Sequence, residues 1–272
     1  MIDGATAIAG ALGAVIGLIL ALTGAGGGIL AVPILVFGLH LSVRSAAPIG
    51  LLAVGAAAAL GAFLGLRQGI VRYKAALLIS SLGIICAPAG LWLAHRIDNV
   101  PLTIAFSLVL AYASVRMLRQ AAQTLAGTLP QRAEVARPCL LNPAVGRLRW
   151  TLPCARALAG IGLLSGFLSG LLGVGGGFVI VPTLNRYTNL ETKSIVATSL
   201  AVIAIVSVGS VLTAANAGLI EWQVGIPFAI GATAGLLLGR TVASRIAGPR
   251  LQQMFGLVGL IVAGALLLRV IG

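Results

Sequence analysis

The chain has 272 residues, 59% of them hydrophobic and only 8% charged, with a mean hydropathy of +1.11. Soluble domains carry about a quarter charged residues, so this composition excludes a water-soluble globular protein, and the lack of short segments of alternating polarity excludes an outer-membrane barrel. The net charge of +13 reads as the Lys/Arg excess of membrane loops, so the expected partner is the lipid bilayer and not nucleic acid.

In chain order, the N-terminus MIDGATA lacks a basic region, so no signal peptide is expected. An apolar segment from Ala5 to Thr23 is followed by the run GAGGG, Gly24 to Gly28, and a short apolar piece containing Pro33. Three longer apolar segments come next, Ser45–Leu66, Ala75–Ala94 and Pro101–Val115. A polar stretch from Arg116 to Arg156, with four prolines and seven arginines, reads as a linker. The order then recurs: GVGGG at Gly173 to Gly177, a short piece with Pro182, and the segments Ser194–Ala217, Val224–Gly239 and Leu251–Leu268.

The recurrence is an internal duplication at an offset of 149 positions, without gaps. Gly13 and Gly17 meet Gly162 and Gly166; Gly24, Gly26, Gly27 and Gly28 meet Gly173, Gly175, Gly176 and Gly177. Pro33 meets Pro182, Ser45 meets Ser194, Gly90 meets Gly239 and Phe106 meets Phe255. An apolar bias alone does not keep Gly, Pro and Ser in step. The expected organisation is a membrane repeat over 1–118, a basic linker over 119–155 and a second membrane repeat over 156–272.

Placing the linker in the cytoplasm and alternating sides puts fifteen of the eighteen basic residues inside, leaving Arg44, Arg96 and Arg269 outside. Both termini are then outside, and equivalent segments run in opposite directions. The expected fold is an all-α integral membrane protein of two inverted-topology repeats, each a Gly-broken helical hairpin plus three transmembrane helices. This plan recurs in secondary transporters. Arg44 and Lys193, equivalent and near span ends, read as interfacial anchors. Cys139 and Cys154 fall in the cytoplasmic linker, where disulfides are rare, and Cys86 reads as a small packing residue.

The piece after Gly28 has about ten residues, ~15 Å of helix, or half a bilayer. Each glycine run therefore reads as the tip of a hairpin lying within the membrane. Non-helical backbone survives there only where protein or a water-filled cavity satisfies it. A helix restarting at such a tip offers free N–H groups and partial positive charge, and glycine permits close approach. The expected substrate-binding residues are Thr23, Gly24, Gly26, Gly27 and Gly28 in one repeat and Gly173, Gly175, Gly176 and Gly177 in the other. Thr198 and Ser199 join them as hydroxyls beyond the second short helix; their equivalents, Ile49 and Gly50, carry none. The plainer role of glycine is close helix packing, which suits Gly13, Gly17, Gly162 and Gly166.

Only Asp3, Asp98, Glu134, Glu191 and Glu221 are acidic, and none lies within an apolar segment. A cation carrier or carboxylate proton relay needs one there, so a small anion is the expected ligand, with no metal and no cofactor. An intramembrane enzyme built on Ser169 is disfavoured because His40 and His95 are placed far from it and a nucleophile needs a nearby base. The expected mechanism is alternating access around an anion, with an anion channel of the same architecture as the alternative, and a homodimer is compatible with either.

The doubled GxGGGxxxxP motif, the basic central linker and the ATSL run at Ala197–Leu200 resemble the TauE/SafE family of sulfite exporters. The resemblance covers almost all of the chain outside the linker, although repeat one has PIGL, Pro48 to Leu51, where repeat two has ATSL. It implies transport of a small sulfur-containing anion, such as sulfite, a sulfonate or a related organic anion, by a multi-pass protein of the plasma (inner) membrane.

Overall fold

A computed structural model describes residues 4–23, 28–126, 139, 141–142, 147–148, 151–246 and 249–271. The first half contains α1 (Gly4–Thr23), α2 (Ala31–Gly38), α3 (Val43–Arg67), α4 (Tyr73–Arg96) and α5 (Asn99–Leu125). The second contains α6 (Leu152–Leu172), α7 (Gly177–Tyr187), α8 (Thr192–Asn216), α9 (Trp222–Ile246) and α10 (Pro249–Ile271). Between the halves, two-residue strands β1 (Leu141–Asn142) and β2 (Arg147–Leu148) pair antiparallel. All helices except α2 and α7 are long and apolar enough to cross a membrane. The protein is an all-helical multi-pass membrane protein, with one short helix after each glycine run.

Helix starts follow local chemistry. The Ser42 hydroxyl accepts from the Ser45 N–H at the head of α3, and Thr151 accepts from the Cys154 N–H at the head of α6, with Pro153 in the first turn. At the far end of α5 the helix runs ten residues past Val115, through what the sequence reads as linker. RMLRQAAQTL is polar, but Arg, Met, Leu, Gln and Ala are strong helix formers, so the helix outlasts its apolar face.

Contacts between helices exchange the two halves. A Cβ on Gly13 would lie 2.1 Å from the Phe228 carbonyl oxygen of α9, and one on Gly162 would lie 2.5 Å from the Ile79 carbonyl oxygen of α4. Shifting each partner by the 149-residue offset turns the first pair into the second. Gly17 against Ala232 and Gly166 against Gly83 form another such pair, and Gly239 against Leu18 with Gly90 against Phe167 a third. Backbones touch at these points, which small residues alone allow. Residue numbers rise together in both interfaces, so α1 is parallel to α9 and α6 to α4. They run oppositely between α3 and α8 (Gly55 by Ser207, Gly65 by Ala197) and between α5 and α10 (Gly256 by Leu118, Gly259 by Leu110).

Three details differ from expectation. The Arg44 guanidinium donates to the Ile97 carbonyl beyond the end of α4, a helix C-terminal contact that the sequence did not suggest. The α3–α4 loop is clasped by α8: Ser194 donates to the Ile70 carbonyl at 2.6 Å, and the Arg72 N–H donates to the Thr198 hydroxyl at 3.0 Å. Most notably, Cys139 and Cys154 form a disulfide, whereas the cytoplasmic placement of the linker led us to expect thiols. Linear spacing did not reveal the pair because the chain folds back: the Cys139 N–H donates to the Tyr187 carbonyl at 3.2 Å, and Cys139 bridges to Thr188 at the end of α7. Both cysteines are fully buried, while Cys86 remains free.

The bond closes a loop with a sequence separation of 15, a length for which a disulfide contributes about 3 kcal/mol. Cys154→Ser is expected to lower the apparent melting temperature of the purified protein in detergent. Reductant should lower that of the parent and leave the variant unmoved.

Candidate functional site

The second glycine run is fully described. Gly173 ends α6 in the left-handed region (φ 70°), its N–H bonded to the Ser169 carbonyl at 2.9 Å. Gly175 and Gly176 are also left-handed (φ 72° and 67°), and Gly176 caps α7. Gly173 through Gly177 are all buried. A Cβ on Gly173 would meet the Ala47 Cα of α3 at 2.4 Å, where the backbone also demands glycine. The Val179 and Ile180 N–H groups both bond the Gly176 carbonyl, leaving those of Gly177 and Phe178 with no intrahelical acceptor.

Of the first run, Gly24, Gly26 and Gly27 lie outside the described residues. Gly28 opens a 3-10 turn leading into α2. Positions built from Gly28 and Gly175 lie 3.0 and 3.4 Å from the same Val54 Cγ1, and that from Gly28 is 3.4 Å from the Val174 carbonyl oxygen. Gly28 and Gly175 therefore approach the same side chain of α3. Val54 is midway along α3, and its repeat equivalent Ile203, midway along α8, has its Cγ2 only 2.9 Å from where a Cβ on Gly175 would lie. The breaks thus lie half-way along helices long enough to span a bilayer.

Below this junction is a cavity of about 310 Å³. Three repeat-equivalent pairs line it: Ile19 with Leu168, Ile29 with Phe178, and Leu30 with Val179. It extends between these hairpins and the α5/α10 pair to Arg116, Gln120 and Gln252, at the ends of α5 and α10 nearer the linker. Thr23 lines it too, its hydroxyl donating to the Ile19 carbonyl at 2.7 Å. Gly28 and the four glycines of the second run do not reach the lining. They hold the adjoining helix start in place, and residues just after them face the space.

Thr198 and Ser199 are fully buried away from the cavity. The Thr198 hydroxyl accepts from the Arg72 N–H, and Ser199 donates to the Val196 carbonyl at 2.8 Å. Ser169 is fully buried with no hydrogen-bond partner for its hydroxyl among the described residues, so no base touches it. Arg116, Gln120 and Gln252 were not singled out from the sequence. The first two fell within the apparent linker, and the signal that could have found them was the run of helix formers carrying α5 onward.

Fold and site together define a polytopic membrane protein in which the short helices after the two glycine runs adjoin a cavity. The chain belongs to the sulfite exporter TauE/SafE family, whose sequence model matches residues 9–266. It is 29% identical over 258 residues to a probable membrane transporter protein of Xylella fastidiosa, covering 92% of this chain and 90% of the relative. It is 26% identical over 269 residues to one of Methanocaldococcus jannaschii, covering 92% of each. A shorter match, 41% over 70 residues, is to a probable membrane transporter protein of Haemophilus influenzae, covering 23% of this chain and 26% of that one. No solved structure matches. The family is one of membrane transporters, not of enzymes.

A Cβ at Gly173 meets fixed backbone and a strained φ, whereas one at Gly160, inside α6, meets nothing within 4 Å. Gly173→Ala is expected to destabilise the detergent-solubilised protein by at least ~1–3 kcal/mol. Gly160→Ala should be neutral or stabilising by up to ~1 kcal/mol. Thermal unfolding of both variants checks the contrast.

Proposed function

We propose that this protein is a secondary transporter of a small sulfur-containing anion, such as sulfite, a sulfonate or a related organic anion. It works by alternating access in the plasma (inner) membrane. The observation that carries this reading is the cavity faced by repeat-equivalent residues from both hairpins, Ile29 with Phe178 and Leu30 with Val179. A site shared between two inverted repeats sits where their relative rocking changes access. Opposite running of α3 and α8, and of α5 and α10, supports the inverted relation.

Several features favour an anion. The start of α7 presents partial positive charge and N–H donors beside the cavity, and among the described residues the cavity lining contains Arg116 and no Asp or Glu. The family's name, sulfite exporter, agrees with carriage of such a substrate, and the relatives' names agree with membrane transport. In the bilayer the linker is cytoplasmic and both termini are outside, the orientation that keeps fifteen of eighteen basic residues inside; the Cys139–Cys154 bond is then one of the rare cytoplasmic disulfides, shielded by the full burial of both cysteines.

Purified protein in proteoliposomes preloaded with unlabelled sulfite is expected to take up labelled sulfite in a saturable way, faster than unloaded vesicles. Flux that is linear in concentration and insensitive to preloading would indicate the channel alternative. No flux of sulfite or simple sulfonates would overturn the sulfur-anion reading.

A further inference from the structure

The cavity is larger and more apolar than a bare oxyanion requires. Its volume of about 310 Å³ falls in the range of pockets that enclose organic ligands, mostly apolar with a few placed polar groups. Sulfite has four heavy atoms and a strong hydration shell. Leu164, Leu168, Phe178, Val181 and Phe255 offer it nothing in return for that water.

The polar lining clusters differently. Arg116 and Gln120 are one turn apart on α5, and so on one face, and Gln252 comes from the facing α10. The Arg116 Nη1 donates to the Tyr112 hydroxyl at 3.4 Å. Among the described residues it has no carboxylate partner, and no acid lines the space. A guanidinium held at the rim of an apolar cavity without a counter-charge is suited to a sulfonate or carboxylate head.

Resting on the transport reading above, we propose that the cavity takes an organic anion with a hydrocarbon body. Its head is bound by Arg116, supported by Gln120 and Gln252, and its body lies against the apolar wall shared by the hairpins and Phe255. Bare sulfite is then the poorer ligand, because it satisfies the head contact and leaves the wall uncovered. Each methylene buried against that wall strengthens binding about fourfold, up to the length that fills the cavity.

The test is ligand-induced thermal stabilisation of the full-length protein in detergent, which reports binding to the folded state. The probes are sulfite, ethane-, butane- and hexanesulfonate, and the alcohols of the same chain lengths, on the parent, Arg116→Gln and Arg116→Lys. We expect half-saturating concentration to fall about fourfold per methylene from ethane- to butanesulfonate, with butanesulfonate binding more tightly than sulfite. Arg116→Gln should weaken the sulfonates roughly tenfold or more, with Arg116→Lys intermediate and the unliganded melting temperatures of both close to the parent. Sulfite binding as tightly as every sulfonate, or Arg116→Gln binding sulfonates like the parent, overturns the inference and leaves the transport reading standing. Alcohols stabilising as well as sulfonates overturn it as a generic apolar pocket. No binding by any anion, sulfite included, overturns both.

Discussion

A bilayer interior gives the backbone nothing to bond to, and each unsatisfied peptide group there costs several kcal/mol. On the transport reading, which sets it at membrane depth, the hairpin at Gly173–Gly177 is a local solution to that constraint. The Ser169 carbonyl takes the Gly173 N–H, the Gly176 carbonyl takes two N–H groups of α7, and three left-handed glycines reverse the chain within five residues. Bulk is excluded on every side, by Ala47 of α3, Ser165 of α6 and Ile203 of α8. Once the reversal is fixed at that depth, α7 has only its 11 residues, ~16 Å of helix, in which to return toward the start of α8. The N–H groups of Gly177 and Phe178, which have no acceptor within α7, lie at its head, and Phe178 lines the cavity.

Exchange of partners between the halves ties that local solution to the whole fold. Neither half supplies a complete scaffold: α1 rests on α9, α6 rests on α4, and α3 packs on α8. Glycine contacts bring these backbones close enough that side chains cannot slide between them, which makes each interface rigid. The α5/α10 pair packs chiefly on itself and forms the opposite wall of the cavity. On the transport reading, the seam between this pair and the hairpins is where motion changes access, because a seam containing a cavity has given up contacts that the glycine interfaces keep.

What the sequence disclosed and what it withheld have separate physical causes. The eight long apolar helices and the two short ones after the glycine runs follow from composition and from a repeat whose register depends on Gly and Pro. The same offset governs which helices touch, although periodicity gives no hint that the partners come from opposite halves. Polarity misled at α5: Arg116 and Gln120 belong to a helix that has outrun its apolar face, and charge was read as linker. Thr198 and Ser199 stand in a motif that draws attention, yet their hydroxyls are engaged with Arg72 and Val196. The disulfide was hidden because a sequence separation of 15 says nothing about a chain that doubles back onto Tyr187.

The charged residues can then be sorted by what each is engaged with. Asp98 and Glu191 occupy N-cap positions of α5 and α8, where negative charge is favourable, so neither is placed to serve a cation in the interior. Arg44 caps α4, Arg240 reaches the Gly61 carbonyl at 3.4 Å, and Arg67 and Arg96 lie over Phe63 and Trp92. Each of these cations is matched to a carbonyl or an aromatic face beside it. Arg116 has only a weak tyrosine contact, and it alone among these lines the cavity. Structural neighbours engage these four cations, and Arg116 is the arginine whose side chain faces the cavity lined from both halves.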